Sequence, residues 1–182
     1  MLEFFLDSFF YGDKPILQNV RLCLKRGDHL WLRGRNGVGK TTILMCIAGI
    51  LEFKGFVRTK LKPVYISAAP IFFSFLSLDE NLFIFNMPEK PEELKGLLKK
   101  RVDELSFGER IFSEIFSFLS KDNILLLIDD CFSFLDDEKL SLIFQKITVL
   151  GREVLFVSQD VRCSQFAKRI ITLENGSLVQ SL

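Results

Sequence analysis

The 182-residue chain predicts an α/β fold built on a mainly parallel sheet. Three observations carry that prediction. Short apolar runs at Asn123 to Ile128 and Glu153 to Ser158 suit strands covered on both faces. Segments with the helical spacing of apolar residues alternate with strand-like ones. A glycine-rich loop joins one strand, His29 to Leu32, to a helix that opens at Lys40.

Taken in order, Val20 to Lys25 alternates apolar Val20, Leu22 and Leu24 with Arg21, Cys23 and Lys25, the pattern of a half-buried strand. Gly27-Asp28 supplies a turn, and His29 to Leu32 reads as the next strand. The loop Gly34 to Gly39 follows. Lys40 to Ile47 has helical apolar spacing and stops near Gly49. Pro91 to Lys100 begins with proline and acids and ends with bases, which predicts one short helix. Ile111 to Leu119 is an apolar helix. Asp136 to Ile147 is an amphipathic one, with Leu140, Ile143, Phe144 and Ile147 on one face. Ile170 to Glu174 and Ser177 to Gln180 form a hairpin across Asn175-Gly176, the dipeptide favoured by two-residue loops. No repeat, low-complexity tract or linker divides the chain, so one domain over residues 1–182 is expected.

Composition narrows the function. Hydrophobic residues make up 48% of the chain, enough for a packed core and too many for disorder. With 24 basic and 23 acidic residues the net charge is +1, which removes the bulk electrostatic argument for nucleic acid or an anionic membrane. Cys23, Cys46, Cys131 and Cys163 are widely spaced with no CxxC pair, which argues against a disulfide framework or zinc site and for a reducing compartment. His29 is the sole histidine, so a nucleophilic triad would have one available base. The N-terminus carries Glu3 and Asp7 and does not resemble a secretory signal. The longest uncharged stretch, Pro63 to Leu78, has 16 residues and is interrupted by Pro70 and serines. A membrane span needs roughly 20 apolar residues, so none is expected.

Gly34-Arg35-Asn36-Gly37-Val38-Gly39-Lys40-Thr41 matches GxxxxGK[ST] at every defined position. Glycines let the backbone curl so that successive N–H groups face phosphate oxygens. The helix that follows adds its unpaired N-terminal amides and dipole. Lys40 would neutralise the β- and γ-phosphates of a nucleotide, and the Thr41 hydroxyl would ligate Mg²⁺. The apolar strand at 124–128 ends in Asp129-Asp130, which supplies a carboxylate to hold that Mg²⁺ through water. Upstream lies Leu105-Ser106-Phe107-Gly108-Glu109-Arg110, and downstream Ser133-Phe134-Leu135-Asp136. No NKxD guanine-reading motif or substrate lid points to a GTPase or small-molecule kinase.

With these motifs in this order, the sequence resembles the ATP-binding-cassette (ABC) ATPase family over essentially its full length. The resemblance implies a P-loop NTPase fold with an N-terminal antiparallel β part, and it assigns roles by position. Tyr11 resembles the adenine platform, with Phe10 as a substitute. Gly34, Asn36, Gly37, Val38, Gly39, Lys40, Thr41 and Thr42 belong to the Walker A loop. Thr41 and Asp129 would hold the metal. Leu105 to Glu109 is similar to the LSGGQ signature, Ile124 to Asp129 to the Walker B strand, and Ser133 to Asp136 to the D-loop. In the family two such domains pair head to tail around two ATP molecules, so Ser106, Gly108 and Glu109 would serve a partner's nucleotide. Ser106 also has the character of a helix N-cap with no ligand.

Three positions depart from the family pattern. Asp130 stands where the family has the glutamate that polarises water, Gln159 where it has the switch histidine, and Ala68 where it has the Mg²⁺-sensing glutamine. These changes resemble the degenerate half of asymmetric ABC exporters and imply tight ATP binding with weak hydrolysis. An adequate base at Asp130, in a slow homodimeric ATPase, is the competing expectation. Only 36 residues separate Ala68 from Leu105, so the helical subdomain, about 70–120, is expected to be truncated. Phe72, Phe73, Phe75, Phe83 and Phe85 would suit an apolar groove for a permease helix, or would fill the core. The family role is then the ATP-binding subunit of a transporter, on the cytoplasmic face of a membrane, in a homo- or heterodimer with a permease on another chain. The LSFGE signature and the ending at 170–176 are exporter-like. A soluble, ATP-gated scaffold or clamp is the alternative.

Overall fold

The computed structural model describes residues 1–87 and 90–180. Its centre is a six-stranded sheet of order β5-β6-β7-β3-β8-β9. Here β3 is His29–Arg33, β5 Lys62–Ser67, β6 Ile124–Asp129, β7 Val154–Val157, β8 Arg169–Glu174 and β9 Ser177–Gln180. All its pairs are parallel except the β8–β9 hairpin. Asn175 and Gly176 at the tip of that hairpin both have positive φ, 48° and 79°, as a tight two-residue turn demands. A second, antiparallel sheet of order β2-β1-β4 joins β1 (Leu2–Tyr11), β2 (Lys14–Leu24) and β4 (Lys54–Thr59).

The apolar run of β6 is buried at all six positions, and its two faces enter different cores. Leu125 and Leu127 pack with Leu155 and Val157 of β7 and with α1 (Lys40–Ile47), beneath the antiparallel sheet. Ile124, Leu126 and Ile128 pack with Val154 and Phe156 on the opposite face. That second core is closed by α2 (Leu78–Ile84), α3 (Phe107–Leu119) and α4 (Asp137–Val149). The period-2 alternation of a strand thus feeds both layers. The first face clamps α1, whose Ile43, Leu44, Cys46 and Ile47 are buried.

One strand lies outside the sequence prediction, and one predicted helix is absent. β1 does carry an alternating buried set, Leu2, Phe4 and Leu6, but its register shifts against β2 at Phe9/Phe10 and against β4 between Leu6 and Ser8. Residues 91–100 do not form the predicted helix. They make one 3₁₀ turn, Glu92–Leu94, and successive i→i+3 turns. The carbonyls of Leu98 and Lys100 accept from the amides of Asp79 and Leu78, and so satisfy the start of α2 in place of a local helix. Buried Leu94 then anchors the segment to the core.

The five phenylalanines of 72–85 divide. Phe72 is buried and Phe85 packs against the core, whereas Phe73, Phe75 and Phe83 are exposed. Phe83 and Ile84 border a depression of about 550 Å³ with Leu76 and Met87, rimmed by the Asp79–Lys90 ion pair. His29 is buried, with Nδ1 3.3 Å from the Phe166 carbonyl and its ring against Phe144. Burial chiefly lowers its pKa. Among the described residues, no helix is long and apolar enough to cross a membrane.

Candidate nucleotide site

The phosphate loop lies between the end of β3 and the start of α1. Gly39 is the N-cap of α1 at φ 109°, and a Cβ there would sit 2.8 Å from Leu17 Cδ2 of β2. The dihedral requires glycine, and the packing of Leu17 and Ile16 against it leaves little room for a side chain. No side chain caps α1, so its first amides are left facing the loop. Lys40 is 8% exposed and curls back, its Nζ donating to the Gly34 and Arg35 carbonyls at 2.8 Å each. Burial lowers the Lys40 pKa, while the Asp130 and Asp129 carboxylates oppose that shift.

Those groups share a cleft of about 310 Å³. It is lined by Tyr11 and Ile16, by Asn36, Gly37 and Gly39 to Thr42, and by Asp129, Asp130 and Val157. Tyr11 is exposed at its mouth with its ring edge-on to Phe9 at 5.1 Å. Phe10, the substitute, does not line the cleft. Val38 faces the other flank of the loop, in an open depression of about 700 Å³ with Arg33, Arg35, Ser158 and Glu174. Lys40, Thr41, Asp129 and Asp130 all line the smaller cleft.

Thr41 Oγ1 donates to Asp129 Oδ1 at 3.2 Å, and the Tyr65 hydroxyl donates to Asp129 Oδ2 at 2.7 Å. Burial and the neighbouring Asp129 push the Tyr65 pKa upward, so the phenol keeps its proton. A threonine hydroxyl beside a carboxylate is a hard-oxygen donor set that fits Mg²⁺, which binds one or two carboxylates together with phosphate oxygens. Among the described residues, no cluster of three or more His, Cys, Asp or Glu forms a dedicated protein cage. Bound there, Mg²⁺ would neutralise charge on the phosphates.

Asp130 is exposed, with φ 50° in the left-handed region, which Asp adopts more readily than most residues. Its N–H donates to the Val157 carbonyl at 2.9 Å and its Oδ1 accepts from the Gln159 N–H at 3.1 Å. The Gln159 side chain donates through Nε2 to Asn36 Oδ1 at 3.1 Å. Ala68 is exposed beyond β5 and does not line the cleft.

The signature residues lie elsewhere in the same chain. Ser106 is the N-cap of α3: its Oγ accepts from the Glu109 N–H at 3.2 Å, and Glu109 Oε2 accepts from the Ser106 N–H at 2.8 Å. Glutamate in the last signature position therefore completes a capping box. The backbone bond from Ser106 chiefly lowers the Glu109 pKa. Ser106 remains exposed. Gly108 lies under the 133–136 segment, where a Cβ would come within 2.5 Å of the Phe134 carbonyl oxygen. Phe107 and Phe134 meet edge to face at 4.6 Å.

Three positioning groups escape a reading of motifs. Tyr65 reaches Asp129 from the neighbouring strand. Trp31 Nε1 donates to the Ser158 carbonyl at 3.1 Å and fixes the chain before Gln159. Arg162 bonds Asp160, Asp137 and the Leu135 carbonyl, and so ties that segment to the start of α4. A tyrosine two residues from the end of a strand that pairs with β6 is the only local signal for the first. The other two have none.

The family model for ABC transporters matches residues 17–133. A putative ABC transporter ATP-binding protein of Methanosarcina mazei is 28% identical, over 96% of this chain and 35% of that protein. The ribosome protection protein VmlR of Bacillus subtilis is 27% identical, over 95% of this chain and 31% of that protein. The chain thus spans about a third of these two curated relatives. An ATP-binding subunit of an ABC transporter of known structure superposes with a TM-score of 0.86 at 20% identity, covering 99% of this chain and 90% of the other, which shows a shared fold. With the phosphate loop, Asp129 and the signature segment in their family order, the chain belongs to the ABC transporter family, as a nucleotide-binding domain of P-loop NTPase fold.

Proposed function

We propose that residues 1–182 form one ATP-binding domain that couples ATP binding, with slow hydrolysis, to a separate membrane permease, its helical part shortened to about 70–120. The observation that carries this reading is the convergence of Lys40, Thr41, Asp129 and Asp130 with Tyr11 on one cleft. The loop amides and Lys40 take the phosphates, Tyr11 stacks on the adenine, and Thr41 and Asp129 hold Mg²⁺. Asp130 orients water from a side chain one methylene shorter than glutamate, beside a Gln159 that cannot titrate. Ser106 and Gly108, with Glu109 capping their helix, serve the nucleotide of a second ABC ATPase, homo- or heteromeric, in a head-to-tail dimer. The exposed Phe73, Phe75 and Phe83 receive an apolar permease helix at the cytoplasmic membrane face, with export as the direction of transport.

Phosphate release from Mg-ATP by the purified chain, against Lys40→Ala and across rising protein concentration, tests this. Release above that background and rising faster than linearly supports a hydrolysing homodimer. Background release from a chain that binds ATP supports a degenerate half with a more active partner. Absence of ATP binding ends the proposal.

The likeness to VmlR favours a second reading, an ATP-gated scaffold without a permease. Fractionation separates the two: a transporter subunit sediments with membranes alongside an integral protein, and a scaffold does not.

A further inference from the structure

The chain has 20 phenylalanines and two tyrosines; Tyr11 lines the nucleotide cleft, and Tyr65 bonds Asp129, which lines it too. Tyr11 is at its mouth. Tyr65 is half-buried on β5, opposite Leu127 of β6, and reaches forward to Asp129, which itself lies opposite Ser67. A phenylalanine would fill the same volume, so the bond to Asp129 Oδ2 is what the hydroxyl adds.

The rest of this strand end gives Asp129 no donor. Ser67 turns its Oγ to the Ala69 N–H at 3.2 Å, and Ala68 has only a methyl group. With the phenol on Oδ2 and the Thr41 hydroxyl on Oδ1, each carboxylate oxygen of Asp129 has a separate donor. Asp129 is 8% exposed, so little water is available to replace a lost partner. A carboxylate held at one oxygen can no longer rotate about its terminal torsion, and its other oxygen has a fixed direction.

We propose that Tyr65 is a positioning residue for Mg²⁺: its phenol pins Asp129 Oδ2 and so presents Oδ1, beside Thr41, to the cation. This rests on the ATP- and Mg²⁺-binding reading given above. Donors in this outer position orient the ligating group, and their removal typically weakens metal affinity by about 10- to 100-fold.

The test is ATP affinity of the purified chain as a function of Mg²⁺, compared with affinity in EDTA, for the native chain, Tyr65→Phe, Asp129→Asn and the double variant. The expected result is that the Mg²⁺ concentration giving half of the affinity gain rises by about tenfold or more in Tyr65→Phe. In the Asp129→Asn background the same change has no further effect, because the group through which Tyr65 acts is gone. An unchanged Mg²⁺ dependence in Tyr65→Phe overturns the proposal. Equal losses in both backgrounds also overturn it, since Tyr65 would then act through packing, as does a Tyr65→Phe chain that fails to fold. A native chain that binds no ATP removes the parent reading, and this one with it.

Discussion

The Gln159 side chain donates to Asn36 Oδ1 at 3.1 Å, so the residue in the switch position is bonded to the phosphate loop itself. Its backbone N–H meanwhile holds Asp130 Oδ1 at 3.1 Å. One residue therefore spans the loop and the candidate base, and two of the three departures from the family pattern, Asp130 and Gln159, are physically adjacent. A longer carboxylate at 130 must re-form its bond to the Gln159 N–H, and a new side chain at 159 loses the bond to Asn36, so the two changes are best made together.

Asp130→Glu combined with Gln159→His is expected to raise ATP turnover, by on the order of 10²-fold if the shortened carboxylate misplaces water by about 1 Å. Steady-state phosphate release at saturating Mg-ATP reads this. A double variant no faster than the native chain would show that Asp130 is already an adequate base.

Gly108→Ala is expected to destabilise the fold by about 1–3 kcal/mol. The new Cβ would lie 2.5 Å from a backbone oxygen, that of Phe134, which cannot swing aside as a side chain would. Urea denaturation of the variant measures the loss. Truncating the Phe134 side chain in the same chain should not relieve it, because the obstacle is the carbonyl.

What the sequence made legible depended on whether the cause was local. β6 is a run of side chains apolar on both faces, and the phosphate loop is a set of residue types that only one geometry requires; both can be read in place. The Ser106 cap is likewise local, its two partners three residues apart. β1 was harder, because Phe5 interrupts the alternation and two register shifts move its faces. The charge pattern of 91–100 mimics a helix, but tertiary bonds to the start of α2 decide the backbone there. Tyr65 and Asp129 are 64 positions apart, and only the pairing of β5 with β6 brings them together. Whether the phenylalanines of 72–85 serve the core or the surface was undecidable from spacing, since both kinds occur in the same short segment.

Phe75→Asp is expected to abolish recruitment to membranes that contain the permease while leaving the fold intact. Phe75 is 65% exposed and touches Phe73 with ring centroids 5.9 Å apart, so the substitution removes little buried surface. Its effect on stability should stay within about 0.5 kcal/mol. Co-sedimentation with membranes and a urea titration, run together, separate a lost docking contact from an unfolded chain. Unchanged sedimentation would assign these side chains no role in docking.

Glu114 makes the stability of this fold depend on pH. It is fully buried on α3, where its Oε2 accepts from the Ile71 N–H at 3.2 Å and its Oε1 has no partner among the described residues. Burial raises its pKa from the ordinary 4.5 to about 7, against the opposing pull of the Ile71 bond. The folded chain therefore holds a proton that the unfolded chain releases near 4.5. Stability from this group is greatest below that value, falls as pH rises through about 7, and is level above it. The loss is on the order of 3 kcal/mol. Glu114→Gln keeps an acceptor for Ile71 and removes the charge, so it should be more stable than the native chain at pH 8 and equal to it near pH 4.5. Urea midpoints of the two chains across that range measure the difference. Parallel curves would mean that Glu114 is neutralised or solvated in some other way.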